Sequence, residues 1–305
     1  MPNLTCISLR DGRACAIPER TVLCLGNFDG VHRAHREILR KAVAMRDARV
    51  SDATVGVFCF RELPAVYLGG DAELLCDLNT RLERFARCGA EVAILADFPE
   101  LRELSPADYI ERVLIRQCGA AAVVCGFNHR FGRRGEGTPA LLREYFGERL
   151  YTVDAVKWEN ETVSSSRIRA FLREGRMEEA GQMLGVPYGL TAPVLHGKAL
   201  GRTIGIPTVN QSFPKGLLIP PRGVYVTETV VEGVAYRGVS NVGTHPTVDV
   251  NAPVNCETYL LDFQGDLYGK TLTVSFLRYL RGERRFDTLE ELRRQIESDI
   301  AEARK

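Results

Sequence analysis

Two histidines, His32 and His35, follow the first strongly apolar run of the chain at a spacing of three residues. They lie in the segment LGNFDGVHRAH, which occupies residues 25–35 and leads into a helical pattern over residues 36–50. Glycines let a ligand approach the backbone, and the free N–H groups at a helix N-terminus favour phosphate. Both imidazoles then lie near one face, where they can grip a triphosphate. This arrangement favours nucleotidyl transfer, in which hydrogen-bond donors stabilise the charge that develops on the leaving pyrophosphate.

Two further segments could contribute to an anion site in the first half of the chain. Residues 163–169 read VSSSRIR and supply hydroxyl groups and arginines at the start of a predicted helix. Residues 126–135 read GFNHRFGRRG and follow another apolar run. Taken singly, residues 163–169 are a run of serines that caps a helix, and residues 126–135 are a basic surface loop. An isolated histidine pair at a spacing of three is likewise more often a helix cap. The strand before the histidines and the helix after them favour the phosphate site.

A second concentration of glycine, cationic and hydroxyl residues lies further along the chain. Residues 196–210 read HGKALGRTIGIPTVN. This segment can cradle a nucleotide, but it lacks the GxxxxGK[ST] order of a P-loop, so a kinase built on it needs another scaffold. Glu257 precedes an apolar run nearer the end. By residue type alone, Glu257 is an exposed strand carboxylate and residues 207–210 are an ordinary turn.

Short apolar runs alternate with helical patterns through the first part of the chain. Buried strands are predicted over residues 21–25, 54–60, 92–96, 121–125 and 150–156. One helix between them starts after Ser105, with a proline at its first position, and extends to residue 117. Strands that alternate with helices imply right-handed crossovers and a parallel sheet, so active groups are expected at the carboxyl ends of the strands.

The later part of the chain is rich in β-forming residues. Strands are predicted over residues 224–230, 235–242, 257–261 and 271–277, separated by glycine, proline and asparagine turns. This pattern indicates a compact antiparallel barrel. The chain then ends in a predicted amphipathic helix over residues 287–303. Its N-cap is Thr288, and its apolar stripe consists of Leu289, Leu292, Ile296 and Ile300.

Composition excludes several classes of protein. The 305 residues carry a net charge of +1 from 40 basic and 39 acidic side chains without charge blocks, so we expect no nucleic-acid or membrane-surface partner. The nine cysteines form no CxxC pair and are read as reduced thiols: Cys6, Cys15, Cys24, Cys59, Cys76, Cys88, Cys118, Cys125 and Cys256. No secretion signal or membrane-spanning run is apparent, which favours a cytoplasmic protein. Self-association is left open.

The motifs together resemble the bacterial bifunctional riboflavin kinase/FMN adenylyltransferases, also called FAD synthetases. The resemblance covers most of the first 185 residues and much of residues 187–305, and its most specific part is a GRxxGxPTxN-like signature at residues 201–210. It implies an α/β chain with a Rossmann-like nucleotidyltransferase domain over residues 1–186. A riboflavin kinase domain over residues 187–305 would follow, as a six-stranded antiparallel β-barrel with a terminal α-helix.

The resemblance also implies roles for individual residues. ATP phosphates would contact Gly26, Asn27, Phe28, His32, His35, Ser165, Ser166 and Arg169, with both histidines catalytic. Asn128 would lie near the flavin phosphate or the nucleotide. In the kinase domain the nucleotide loop would include Gly201, Arg202, Gly205, Pro207, Thr208 and Asn210. Thr208 and Asn210 would hold Mg²⁺, and Glu257 would be the base that deprotonates the ribityl hydroxyl.

The implied function is two successive ATP-dependent steps, from riboflavin to FMN and from FMN to FAD with release of pyrophosphate. The sequence departs from the family pattern at Ala34, where a glycine is usual, at Ser166, where a threonine is usual, and over residues 58–64. Two alternatives therefore stay open. One is a riboflavin kinase with a degenerate nucleotidyltransferase domain, and the other is a non-catalytic flavin- and nucleotide-binding regulator.

Overall fold

The computed structural model describes residues 4–9, 17–69, 73–196, 206–244 and 254–305. The chain divides into two compact units. The first unit comprises Met1–Ala72 and Leu78–Ser164, and the second comprises Glu73–Asp77 and Ser165–Lys305. The short segment 73–77 therefore belongs structurally to the second unit, although it interrupts the first in sequence.

The first unit is built on a parallel sheet. Its strands are β1 (Thr5–Ser8), β2 (Thr21–Leu25), β3 (Thr54–Phe60), β4 (Val92–Ala96), β5 (Ala120–Gly126) and β6 (Leu150–Val153). Their order across the sheet is β1-β4-β3-β2-β5-β6, and every pairing is parallel. All five residues of β2 and of β4 are buried, as expected for central strands covered on both faces. A small hairpin follows, made of β7 (Lys157–Trp158) and β8 (Glu161–Thr162).

Helices cover both faces of this sheet. They are α1 (Arg33–Arg49), α2 (Pro64–Tyr67), α3 (Leu78–Arg87), α4 (Phe98–Leu101), α5 (Pro106–Asp108) and α6 (Pro139–Phe146), and α5 continues as a π-helix over Tyr109–Gln117. Leu39 of α1 and Phe85 of α3 are buried in the core on one face, and Ile110 and Leu142 are buried on the other. The sheet is thus the middle layer of three.

The second unit contains an antiparallel sheet that nearly closes on itself. Its strands are β9 (Tyr188–Pro193), β10 (Val209–Ser212), β11 (Gly223–Val231), β12 (Val234–Gly243), β13 (Asn255–Leu260) and β14 (Thr271–Arg281). They follow the order β10-β13-β12-β11-β14-β9. A bridge in which Leu195 N donates to Asn210 O at 2.8 Å brings the two outer strands together. Hydroxyls of Thr227, Ser240 and Thr258 form a buried hydrogen-bonded row across the strands.

Among the described residues, three helices belong to the second unit. These are α7 (Ser165–Arg173), α8 (Met177–Leu184) and α9 (Leu289–Ala303). Helix α9 is held to the barrel by a buried ion pair between Arg281 and Asp299, and Ile300 and Ala303 pack against the same cluster as Val224.

The predicted fold class is confirmed: a parallel sheet with helices on both faces precedes a six-stranded antiparallel barrel with a terminal helix. The bounds of β2, β3 and β4 match the predicted strands, and Thr288 caps α9 by accepting from Glu291 N at 3.2 Å. Other details differ. Strands β1, β9 and β10 were not among the strands placed from sequence, and the sixth strand ends at residue 153 rather than 156. Leu289 is exposed, whereas the rest of the predicted stripe of α9 is half-buried.

Candidate functional site

The candidate nucleotide site of the first unit lies where three neighbouring strands end. Phe58 of β3, Leu25 of β2 and Cys125 of β5 are in register across the sheet. The chain segments that leave these strands therefore start side by side at the carboxyl edge of the sheet. This edge is where ligands bind in open α/β sheets.

His32 and His35 come together at the start of α1. Their rings stack with centroids 3.5 Å apart and an interplanar angle of 14°. His32 is the N-cap of α1, and its Nδ1 accepts a long hydrogen bond of 3.4 Å from His35 N. Burial, followed by the neighbouring His32 and then by Arg81, holds the pKa of His35 well below its usual value. The His35 ring is therefore neutral at physiological pH, and its buried Nδ1 has no hydrogen-bond partner among the described residues.

The loop before the histidines has an unusual backbone. Phe28 has φ 53° and Val31 has φ 44°, both in the left-handed region that bulky and β-branched residues avoid. Gly30, at φ 76°, adopts the same region without cost. The ring of Phe28 is fully buried and lies 5.1 Å from the His35 ring between centroids. Phe28 thus supports His35 from inside the unit.

Three arginines hold the carbonyl groups of this loop. Arg81 Nη1 donates to Asn27 O at 3.1 Å, Arg84 Nη1 donates to Gly30 O at 2.7 Å, and Arg36 Nε donates to Val31 O at 3.0 Å. The sequence analysis missed these residues. The signal was present for Arg81, because it lies on the apolar stripe of α3 with Leu78, Leu82 and Phe85, where a charge is out of place.

The other predicted residues of this unit lie on the same edge. Gly26 directly follows β2, and a Cβ added there would lie 3.2 Å from the Phe28 ring. Asn27 and Asn128 are both exposed, and Asn128 follows the end of β5. Next to it, burial lowers the pKa of His129 to about 4, and its ring stacks on Phe131 with centroids 5.8 Å apart.

Ser165, Ser166 and Arg169 belong to the second unit. Helix α7 begins at Ser165, Ser166 is exposed, and Arg169 Nε donates to the carbonyl of Glu73 at 2.6 Å. Arg173 of the same helix also pairs with the carboxylate of Glu73. The contact of Ser165, Ser166 and Arg169 with the ATP phosphates stays a prediction.

The candidate kinase site lies on three adjacent strands of the barrel. Asn210 of β10 is the direct cross-strand partner of Glu257 of β13, and Glu257 is in turn the partner of Asn241 of β12. Cross-strand partners project to the same face of a sheet, so the three side chains form one row with the carboxylate in the middle. Asn210 Oδ1 is buried and has no hydrogen-bond partner among the described residues. Asn241 was not predicted as a site residue.

Pro207 and Thr208 line a cavity of about 240 Å³ in the barrel unit. Its other walls come from the residue after β9, from β10 and β13, and from the turn after β13. They include Val194, Thr258, Phe263, Asp266 and Tyr268. Neither Glu257 nor Asn210 lines the cavity. The predicted nucleotide-loop residues Gly201, Arg202 and Gly205 lie outside the described residues.

Fold and site together define a two-unit enzyme that handles nucleotide phosphates in an α/β unit and in a β-barrel unit. Residues 15–167 match the family model for FAD synthetase, and residues 184–305 match the model for riboflavin kinase. The chain is 33% identical over 292 residues to the bifunctional riboflavin kinase/FMN adenylyltransferase of Bacillus subtilis, covering 93% of this chain and 92% of the relative. The Escherichia coli K12 protein of the same name is 32% identical over 293 residues, with 94% and 92% covered. The chain belongs to the family of bifunctional riboflavin kinase/FMN adenylyltransferases.

A solved structure supports the same fold. The crystal structure of a macrolide-efflux protein from Streptococcus pneumoniae aligns with a TM-score of 0.88 and 31% identity, and covers 98% of this chain and 99% of that one. In the part of this chain that the structure describes, no helix is both long and apolar enough to cross a membrane.

Proposed function

We propose that this chain converts riboflavin to FMN in its barrel unit and FMN to FAD in its α/β unit, each time with ATP. The observation that carries the proposal is that one chain holds two separate candidate phosphate sites, each within the stretch that matches the corresponding family model. The product of the first reaction is the substrate of the second, which gives a reason for their covalent linkage.

In the kinase step, Glu257 takes the proton from the 5′-hydroxyl of the ribityl chain, and that oxygen attacks the γ-phosphorus of ATP. ADP leaves and FMN forms. The register supports this role, because Glu257 is flanked on the same face by the amides of Asn210 and Asn241, which can orient a carboxylate or a phosphate.

Magnesium fits the residues of this unit. A buried amide oxygen without a hydrogen-bond partner, such as Asn210 Oδ1, suits a hard cation that prefers oxygen ligands. Asn210 and Thr208 would hold the ion, and Thr208 adds a hydroxyl oxygen two residues earlier. Bound magnesium would neutralise charge on the ATP phosphates during transfer.

In the adenylyl-transfer step, a phosphate oxygen of FMN attacks the α-phosphorus of ATP and pyrophosphate leaves. His32, His35 and the N-terminus of α1 donate hydrogen bonds to the phosphates and stabilise the charge on the leaving group. The two rings are prearranged by their stacking, so little reorganisation is needed when ATP binds. Ser165, Ser166, Arg169 and Asn128 would complete the binding of ATP and FMN.

The test is to incubate the purified chain with riboflavin, ATP and magnesium and to separate the flavins over time, with pyrophosphate measured in parallel. The proposal predicts FMN first, then FAD with one pyrophosphate per FAD. FMN without FAD or pyrophosphate would leave a riboflavin kinase with a degenerate first unit. Flavin binding without any product would point to a regulator.

We further infer a reducing, cytoplasmic site of action. All eight cysteines that the structure describes are free of disulfides, which supports a compartment that keeps thiols reduced. Fractionation of cells that express the chain, with both activities assayed in each fraction, would test this location.

A further inference from the structure

We propose that Arg81 is a positioning residue for adenylyl transfer: its buried guanidinium fixes the loop that carries the histidines and supplies an unneutralised positive charge beside them. The inference rests on the proposed adenylyl transfer and adds a residue to that site. No resemblance or motif in the sequence pointed to this residue.

Arg81 clamps two loops of the first unit through its guanidinium. Its side chain lies in the core with 4% of the residue exposed. Nη1 donates to Asn27 O at 3.1 Å, and Nη2 donates to Phe60 O and Arg61 O, both at 2.9 Å. One guanidinium therefore joins the chain leaving β2 to the chain leaving β3. The rigid fork of arginine suits this task, because lysine can place only one nitrogen there.

The charge of Arg81 has no counter-ion among the ion pairs of the described residues. Buried Asp97 lies 3.8 Å from the guanidinium of Arg61 rather than from that of Arg81. Arg81 Nε is also buried without a hydrogen-bond partner in the described chain. A buried, unpaired cation is costly to maintain, and an anionic ligand nearby would offset that cost. Triphosphate and pyrophosphate are anions of the required kind.

The loop that Arg81 holds contains strained backbone. The left-handed conformations of Phe28 and Val31 persist only if surrounding contacts fix them. Arg81 holds the carbonyl just before Phe28, and Arg84 holds that of Gly30, just before Val31. The clamp thus fixes the strained residues that lead directly to His32. Loss of the clamp would let the loop relax and would misplace the donors for the leaving group.

The experiment uses the full chain and compares Arg81→Gln, Arg81→Lys and a matched control, Arg87→Met. Arg87 is on the same helix but exposed, so its substitution removes the same charge away from the loop. Calorimetry measures the Kd of inorganic pyrophosphate, and steady-state assays measure kcat and KM for ATP in FAD formation. Riboflavin kinase activity of each variant serves as an internal reference.

We expect Arg81→Gln to weaken pyrophosphate binding at least tenfold and to lower kcat/KM for ATP by about 100-fold, because loop misplacement and charge loss act together. Arg81→Lys is expected to keep the pyrophosphate Kd within about threefold while kcat falls at least tenfold, since it keeps the charge and loses the fork. Arg87→Met is expected to match the wild-type chain.

Two results would overturn the proposal: wild-type pyrophosphate affinity in a folded Arg81→Gln, or wild-type kcat in Arg81→Lys. If Arg81→Gln does not fold, the test rests on Arg81→Lys. Weaker pyrophosphate binding and a lower kcat in Arg81→Lys would count against the proposal if the unfolded fraction of that variant accounts for both. Failure of the proposed adenylyl transfer is distinct, because the wild-type chain would then form no FAD. The pyrophosphate affinities would still test the charge of Arg81 in that case.

Discussion

His32 and His35 stack face to face at 3.5 Å, with the first ring capping the helix that the second ring lies on. Two imidazolium ions cannot share this arrangement without strong repulsion. Burial, the adjacent His32 and the charge of Arg81 act in the same direction and keep the pKa of His35 low. His35 therefore serves as a neutral N–H donor, while the arginines and the helix N-terminus supply the positive potential for phosphate.

We predict that substitution of either histidine selectively slows FAD formation. His32→Ala or His35→Ala removes a donor to the leaving pyrophosphate, which should lower kcat for FMN adenylylation by about 10² to 10³-fold. FMN formation from riboflavin should stay within about twofold of the wild-type rate, because the kinase residues belong to the other unit. Both rates are measured by chromatography of flavins in the same reaction. Equal loss of both activities would contradict this division of labour.

Acid should destabilise the first unit through its buried histidines. His129 has a folded-state pKa of about 4, below its usual value, so the unfolded chain binds the extra proton as the pH falls below about 6.5. The stabilisation that the neutral ring provides is complete above that pH and is lost progressively down to about pH 4. His35 adds a loss of the same sign.

Because part of the His129 residue is exposed and solvent screens part of the effect, we expect it to contribute about 1 kcal/mol of this loss at pH 5. Thermal unfolding at pH 7 and pH 5 measures the change, with His129→Gln as the comparison. The variant should lose less stability between the two pH values than the wild-type chain. An identical pH dependence would exclude His129 as a contributor.

Glu257→Gln should block the kinase step and spare the adenylyl step. The substitution keeps the size of the side chain but removes the base between Asn210 and Asn241, so we expect kcat for FMN formation to fall by about 10² to 10⁴-fold. When FMN is supplied directly, FAD formation should proceed at the wild-type rate. A Glu257→Gln chain that still phosphorylates riboflavin normally would assign the base to another group.

The amide of Asn210 should determine the magnesium requirement of the kinase. Asn210→Leu removes the buried oxygen that lacks a protein partner, and we expect the magnesium concentration for half-maximal FMN formation to rise at least tenfold. Asn210→Asp keeps an oxygen ligand and should retain much of the affinity. The control is Thr271→Val, because Thr271 is exposed. Gln211→Leu is a poor control, since Gln211 Nε2 donates hydrogen bonds to Ala192 O and Leu272 O in the core. An unchanged magnesium requirement in Asn210→Leu would remove this residue from the metal site.

Local patterns predicted most of the fold because they report burial directly. The continuous apolar runs of β2, β3 and β4 match strands covered on both faces, and Thr288 and Ser105 cap helices as their positions require. Edge strand β1 was not predicted because its four residues, TCIS, do not alternate clearly between apolar and polar side chains, and two of them are exposed.

The candidate sites were harder to complete from sequence, because their key contacts join distant segments through the backbone. The three carbonyl groups that Arg81 holds lie 20, 21 and 54 positions earlier in the sequence. Every residue has a backbone carbonyl, so residue type does not reveal which one an arginine will hold. The alignment of Asn210 with Glu257 and Asn241 likewise depends on strand register. The residues with chemistry are recognisable by type, but the contacts through which other residues orient them depend on the fold.

The buried ion pair between Arg281 and Asp299 should be the contact on which docking of α9 most depends. Arg281 Nη2 lies 2.6 Å from Asp299 Oδ2 and Nε lies 3.0 Å from Oδ1, while Gln295 Nε2 donates to Oδ1 at 3.0 Å. The two side chains are only 15% and 6% exposed. Val224 is the cross-strand partner of both Arg281 and Asn241. Asn241 is in turn the partner of Glu257, so Arg281 lies on the same face of the sheet as Glu257.

Asp299→Asn leaves the guanidinium buried without its counter-charge, and we expect it to lower the free energy of unfolding of the second unit by about 3 kcal/mol. The double variant Arg281→Met, Asp299→Leu should recover most of that loss, since two apolar side chains need no charge partner. Exposed Arg293→Met, which breaks the surface pair with Glu297, is the control and should cost less than about 0.5 kcal/mol. Urea unfolding of the four chains measures these differences. A single Asp299→Asn variant as stable as the control would mean that apolar packing around Ile300, rather than the ion pair, holds α9 on the barrel.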